Sequence, residues 1–252
     1  MNIIVNDQLL EYTDQGSGKV ILMLHGWGSN LNTFDQLANC LLSNFRVIRF
    51  DFPGFGKSPK PDDKWAVANY AQITSQLLQK LKISDLYAVI AHSFGGRITI
   101  KGISMGILQP QKVILIGAAG IKPSKSVKKS LFRLIAKVGR FVTSLPGLKN
   151  IQPKLRKNLY VMVGSSDYIQ ADKMKKIFVN IISEDLLSEI KNISQPTLLI
   201  WGENDKETPI KDANLMLSNL KNGRLIKVEG AGHFVYIEAF DRVRKEIEGF
   251  LA

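Results

Sequence analysis

One cysteine stands in a chain of 252 residues. No intrachain disulfide can form, which excludes the cross-linked framework of small secreted domains, and a lone Cys40 suits a reducing compartment. Histidine is almost as scarce, with only His25, His92 and His233. Neither they nor Cys40 fall at metal-ligand spacings, so no metal is expected. No apolar run approaches the roughly 18 residues that a membrane-spanning helix needs. Met1 to Asp7 lacks a basic stretch followed by a long apolar one, so no secretory leader and a cytoplasmic location are expected. The pair Gly54 and Gly56 is short of a dinucleotide fingerprint, and no other phosphate-cradling loop occurs, so no cofactor is expected either. Internal repeats and low-complexity tracts are lacking as well.

Acidic residues are missing from one place in particular. The chain holds 34 Lys and Arg against 22 Asp and Glu, a net charge of +12. Between Lys122 and Lys176 there are 14 basic residues and only Asp167 and Asp172, which leaves 20 of each sign elsewhere. The whole excess therefore lies in one contiguous segment. A solvated lysine-rich surface explains it in one way, and a surface for an acidic partner in another. The balanced remainder offers no basic stripe for nucleic acid, and no nucleic-acid partner is expected.

What is present has a rhythm. Six apolar runs rich in β-branched residues occur at Val20–Leu24, Phe45–Phe50, Leu86–Ala91, Val113–Ile116, Thr197–Trp201 and Arg224–Val228. Near-continuous apolar runs of this length predict strands buried on both faces of a parallel sheet. Amphipathic stretches lie between most of them, at Asn32–Leu42, Ala66–Leu81, Gly95–Met105, Ile210–Leu220 and Ala239–Leu251. Alternating strands and helices predict a layered α/β domain. Ile3 to Val5 and Leu9 to Tyr12, flanking Asn6-Asp7, predict a hairpin that adds two antiparallel strands and brings the sheet to about eight. The stretch from Ile116 to Thr197 is too long for an ordinary crossover and carries helical periodicity of its own. It divides the chain into a core, 1–119 with 194–252, and an inserted helical cap, 120–193.

Ser93 sits in Ala91-His92-Ser93-Phe94-Gly95, where an apolar strand runs directly into a helix-like segment. A serine projecting from so sharp a turn needs small residues two before and two after it, which is the nucleophile-elbow pattern with alanine in place of the first glycine. Ordinary turns produce similar strings by chance. Three further segments give this one its weight: His25-Gly26-Trp27-Gly28, then Asp51-Phe52-Pro53-Gly54-Phe55-Gly56-Lys57-Ser58, and then Asp205 with His233, each after a late strand. The carboxyl ends of parallel strands share one edge, so Ser93, Asp205, His233 and the Gly26-Trp27 turn are expected on one rim. Each has a plainer reading. A histidine before an aromatic is commonly a core or capping residue, Asp205 is placed to cap the helix near Pro209, and Glu203 is a rival carboxylate.

With these motifs in chain order Ser, Asp, His, the sequence resembles the α/β-hydrolase superfamily over essentially its full length, and within it the small cap-bearing serine esterases. The resemblance implies an α/β-hydrolase fold with Ser93 as nucleophile, His233 as general base and Asp205 as the group that orients it. It also makes the backbone N–H groups of Trp27 and Phe94 the oxyanion hole, and leaves His25 and His92 structural. The implied substrate is a small-molecule carboxylic ester. Thioesters or methyl esters on a carrier protein or coenzyme A, lactones and carbon–carbon bonds stay open, the last sharing the triad and often Arg97. Dehalogenases and epoxide hydrolases of the family carry aspartate where Ser93 stands, which points away from both. A non-enzymatic binding scaffold is the reading from another class, but such scaffolds typically lose a triad member.

Val127 to Leu145 has apolar residues at helical spacing, with Lys129, Arg133, Lys137 and Arg140 opposite. This predicts a cap helix over the pocket and, with the local charge, a surface for an acidic carrier protein or an anionic membrane. Gly26, Trp27, Phe94, Tyr160 and Met162 are the expected substrate-binding residues.

Overall fold

The chain first reverses at Asn6 and Asp7, whose φ angles of 44° and 60° suit the tight primed turn of a two-residue hairpin. In the computed structural model, which describes residues 1–122 and 174–252, this turn joins β1 (Asn2–Val5) to β2 (Gln8–Gln15). Six further strands follow: β3 (Lys19–Leu24), β4 (Phe45–Phe50), β5 (Leu86–His92), β6 (Lys112–Ile116), β7 (Thr197–Gly202) and β8 (Gly223–Val228). They form an eight-stranded sheet in the order β1-β2-β4-β3-β5-β6-β7-β8. The β1–β2 and β2–β4 pairs are antiparallel, and every later pair is parallel. The fold is α/β, as the alternation of runs predicts.

Side-chain parity builds the two layers, because successive residues of a strand face opposite sides. Leu22, Leu24, Val89, Ala91, Val113, Leu115, Leu199 and Trp201 form one core with the apolar faces of α2 (Val67–Lys80) and α3 (Phe94–Ser104). Ile21, Met23, Ala88, Ile90, Ile114, Ile116, Leu198 and Ile200 form the other. The second core is closed by α1 (Asp35–Leu41), which follows a 3₁₀ turn at Leu31–Phe34, and by the carboxyl-terminal helix.

One stretch departs from its expectation. The run Arg224–Val228 is a strand but is not buried on both faces: β8 is the last strand of the sheet, and Gly223, Arg224 and Lys227 are exposed. An edge strand needs an apolar pattern only where it touches its neighbour. The expected helix Ala239–Leu251 is found at Phe240–Leu251.

Of the segment read as a cap, 120–193, residues 120–122 and 174–193 are described. The latter hold α4 (Lys175–Ser183) and α5 (Leu187–Ile190). Ile177 and Ile181 of α4 reach into the α2–α3 core. Arg97 Nη1 on α3 donates to the Glu184 carbonyl at 2.8 Å, fixing the end of α4 against the elbow helix. The expected helix 127–145 and the expected pocket residues Tyr160 and Met162 lie outside the described residues. After β7 come α6 (Ile210–Asn219), then α7 (Val235–Glu238) and α8 (Phe240–Leu251) beyond β8. No helix among the described residues is long and apolar enough to cross a membrane.

Candidate active site

β5 ends at His92, α3 begins at Phe94, and Ser93 alone makes the turn with φ 47° and ψ −108°. That is unfavourable backbone for a residue with a side chain, and it persists only where the surroundings fix it. They do so here. Ser93 N–H donates to the Ile116 carbonyl at 3.1 Å, and its own carbonyl accepts from Gly96 and Ala119, each at 2.9 Å. A Cβ on Gly95 would press into the Leu24 carbonyl, so glycine is needed there for close packing of α3 on β3. Ala91 sits at the end of an ordinary strand, fully buried. Alanine in place of the pattern's first glycine therefore needs no special backbone.

The Gly26-Trp27 turn lies beside the elbow. A Cβ on Gly26 would fall 2.8 Å from His92 Nδ1 and 3.4 Å from Ser93 Cβ. Phe94 opens α3, where the first N–H groups have no intrahelical acceptor. Trp27, half-buried, lies 5.4 Å ring to ring from Phe94, 4.8 Å from Phe55 and 5.0 Å from Phe178 on α4. Gly26, Trp27 and Phe94 are thus gathered beside Ser93, under an aromatic wall that includes Phe55 and Phe178.

Asp205 and His233 meet across the carboxyl ends of β7 and β8. His233 Nδ1–H donates to Asp205 Oδ2 at 2.8 Å, and both side chains are nearly inaccessible. The other oxygen, Oδ1, accepts from the N–H groups of Glu207 and Thr208, each at 2.9 Å. One oxygen thus caps the turn before α6, as the plainer reading of Asp205 expects, and the other accepts from His233. Burial alone would raise the Asp205 pKa, but the bond to His233, its charge and the Thr208 bonds outweigh this and hold the carboxyl below its usual range. The rival Glu203 is exposed.

The other two histidines are built into the frame. His25 Nδ1–H donates to the Gly26 carbonyl at 2.8 Å, while Nε2 accepts from Phe52 N–H at 3.1 Å. Burial lowers its pKa to about 4. His92 donates from Nε2 to the His233 carbonyl at 3.1 Å, tying the loop that carries His233 to the elbow. Burial first, and the neighbouring His233 charge second, lower its pKa to about 3. Asp51 is likewise a strut: its oxygens accept from Leu31 N–H at 2.7 Å and Lys57 N–H at 2.8 Å, which fixes the loop that presents Phe55.

Three residues not expected from the sequence belong to this site. Thr208 Oγ1 lies 2.8 Å from Asp205 Oδ2 and 3.0 Å from the Gly117 carbonyl. Glu238 accepts from Gly232 N–H at 2.6 Å and Phe234 N–H at 3.2 Å, clasping the chain on both sides of His233. Glu207 Oε2 stands 3.3 Å from His233 Nε2. Only Thr208 had a local signal, since Asp205-Lys206-Glu207-Thr208-Pro209 has the spacing of a side-chain-capped turn before a helix. Among the described residues no group of three or more His, Cys, Asp or Glu is arranged to hold a metal ion.

Comparison with known proteins bears on the whole arrangement. A family profile described as alpha/beta hydrolase fold matches residues 19–101, and one described as TAP-like protein matches residues 183–252. The chain is 26% identical over 257 residues to lipase 1 of Psychrobacter immobilis, covering 95% of this chain and 79% of that protein. It is 25% identical over 236 residues to a pimeloyl-[acyl-carrier protein] methyl ester esterase of Nitrosomonas europaea, covering 88% and 91%. Among solved structures, an esterase from Exiguobacterium antarcticum superposes with a TM-score of 0.74 at 27% identity, covering 99% of this chain and 98% of that one.

Proposed function

Because the chain belongs to the α/β-hydrolase superfamily, we propose that it is a serine hydrolase cleaving carboxylic esters through an acyl-enzyme. The observation that carries this reading is the 2.8 Å bond from His233 Nδ1 to Asp205, on the same sheet edge as a serine held at positive φ. With Nδ1–H committed to Asp205, the neutral ring keeps Nε2 as its acceptor. A serine hydroxyl is a poor nucleophile until a base takes its proton. Ser93 Oγ attacks the ester carbonyl while its proton passes to His233 Nε2, and Asp205 stabilises the resulting imidazolium. The backbone N–H groups of Trp27 and Phe94 receive the oxyanion, and a fixed donor of this kind is worth about 3 to 4 kcal/mol. The tetrahedral intermediate collapses, the alcohol leaves with the proton from Nε2, and water repeats the sequence on the acyl-enzyme. Trp27, Phe55, Phe94 and Phe178 line the acyl side, and residues 120–193 act as the cap.

The test is a panel of p-nitrophenyl esters, lactones, thioesters and vinylogous diketones on the wild type and Ser93→Ala. Ser93→Ala should keep its fold and lose about 10⁴-fold or more of ester turnover. A fluorophosphonate probe should label only the wild type, and labelling of Ser93→Ala would overturn the assignment. A narrower reading has its own support. The basic excess between Lys122 and Lys176 and the similarity to a carrier-protein methyl ester esterase favour an acyl group delivered on an acidic carrier.

A further inference from the structure

The outer face of the elbow helix carries a polar stripe that the mechanism does not use. Arg97, Lys101 and Ser104 stand at i, i+4 and i+7 on α3 and so share one face. Each meets the limb 184–192, along which the chain returns to the sheet. Arg97 Nη1 donates to the Glu184 carbonyl at 2.8 Å. Lys101 Nζ pairs with the Glu184 carboxylate at 2.7 Å and with Glu189 at 3.3 Å, and Ser104 Oγ accepts from Asn192 Nδ2 at 3.0 Å. The outgoing chain is tied in as well. Leu186 N–H donates to the Gly120 carbonyl and Ala119 N–H to the Ser93 carbonyl, each at 2.9 Å. Both stems of the segment 120–193 are thus fixed to the helix that begins at Ser93.

Arg97 is the costly member, because it is only 4% exposed and arginine is seldom buried unless its charge is used. Here the charge meets the carbonyl of Glu184, where α4 ends and the backbone turns extended. The carboxyl end of a helix presents unpaired carbonyls and partial negative charge, which a cation complements. Burial lowers the Arg97 pKa to about 10, against the pull of the Glu184 and Asp185 charges, so the guanidinium stays charged at neutral pH. Nearer its other end, α4 is held by different contacts: Lys176 pairs with Asp63 at 3.1 Å, and Asn180 Nδ2 donates to the Trp65 carbonyl at 3.3 Å. Between these anchors Ile177 and Ile181 enter the core, and Phe178 lies 5.0 Å ring to ring from Trp27. We propose that Arg97, with Lys101 beside it, is a positioning residue that sets how closely α4 presses Phe178 onto Trp27, and thereby the room available to the acyl chain.

The consequence for the acyl chain rests on the ester-hydrolase reading, but one test of the anchor does not need catalysis. The chain has three tryptophans, so the indole N–H resonance of Trp27 is assignable by its loss in Trp27→Phe. Arg97→Met keeps the stem and removes the charge and the donors. It should move the Trp27 resonance and leave in place that of Trp201, which is bonded to the Thr208 carbonyl. In turnover, a receding wall should favour longer chains. The ratio of kcat/KM for p-nitrophenyl octanoate to that for the acetate should rise about three- to tenfold, mainly through KM. Phe178→Ala should raise the same ratio, and the double variant should exceed it by less than the sum of the two effects, since both act through one ring. Arg224→Gln, which breaks an exposed pair with Glu246 on β8, should change neither readout. Should Arg97→Met fail to fold, Lys101→Met carries both measurements, with a ratio change of about two- to threefold for its partly exposed pairs, and no change there overturns the proposal. It is equally overturned by an unmoved Trp27 resonance in folded Arg97→Met, by equal losses on both esters, or by additive effects in the double variant. A moved Trp27 resonance in a protein that hydrolyses no ester keeps the anchor and removes the ester-hydrolase reading instead.

Discussion

At the scale of the residue, the site is a set of hydrogen bonds centred on one carboxylate. Asp205 uses both oxygens, and that division of labour makes it sensitive to a change of one atom. Asp205→Asn presents an N–H to either the turn or the ring and disrupts whichever it meets. Ester turnover should fall by about 10⁴-fold, as for the corresponding change in another triad, whereas Glu203→Gln should act as an ordinary surface substitution. The reverse ranking would move the acid to Glu203. Thr208→Val is the finer probe. It removes a hydroxyl 2.8 Å from Asp205 Oδ2 while keeping the shape of the side chain. A hydrogen bond to a charged group is worth about 1.5 to 3 kcal/mol, so kcat should drop by about ten- to a hundredfold with little change in KM. An unaltered kcat would show that Asp205 is held by the Glu207 and Thr208 backbone N–H groups alone.

At the scale of the element, periodicity made the frame legible and said little about contacts. The strand at Phe45–Phe50 appears with the bounds its apolar run predicts, and the other five runs differ by a residue or so at an end. A buried parallel strand must be apolar on both faces, and few other structures demand that. The Asn6-Asp7 hairpin was legible for a similar reason, since few residues tolerate two successive positive φ angles. β8 was legible as a strand and misread in its burial, because sequence alone does not say which strand ends the sheet. That Asp205 and His233 would meet on the sheet edge that carries the Ser93 turn was legible through chain order and motif. Glu207 and Glu238 were not, because a glutamate on a polar loop looks the same whether it faces water or an imidazole. Two glycines test the packing directly. Gly95→Ala drives a methyl into Leu24 beneath the elbow and should cost about 1 to 3 kcal/mol in denaturant unfolding. Gly249→Ala, on the exposed face of α8 with nothing within 4 Å, should stabilise by about 0.5 to 1 kcal/mol. Equal effects at the two positions would mean that α3 does not pack tightly on β3 at Gly95.

At the scale of the whole molecule, the feature that no local contact explains is the charge. The net +12 maps to Lys122–Lys176, and the rest of the chain is balanced. Of that segment only its two ends are described, and there Lys176 pairs with Asp63 at 3.1 Å. A charge concentrated in one segment of a chain can steer oppositely charged partners, and salt screens it over about 8 Å at physiological ionic strength. An acidic carrier bearing the acyl group should therefore be processed with a kcat/KM that falls steeply between low and high salt. A small neutral ester such as p-nitrophenyl acetate should barely respond, since no field draws it in. Changing Lys128, Lys129, Arg133 and Lys137 together to glutamine should flatten the salt dependence for the carrier-bound substrate and leave neutral-ester turnover largely unaltered. Anionic vesicles in place of the carrier separate the two acidic partners: salt-sensitive binding to vesicles without salt-sensitive carrier turnover would transfer the role to a membrane surface. If carrier-bound and neutral substrates respond alike to salt, and vesicles do not bind, the basic segment is a solvated face and the carrier reading falls, while the chemistry assigned to Ser93, His233 and Asp205 is untouched.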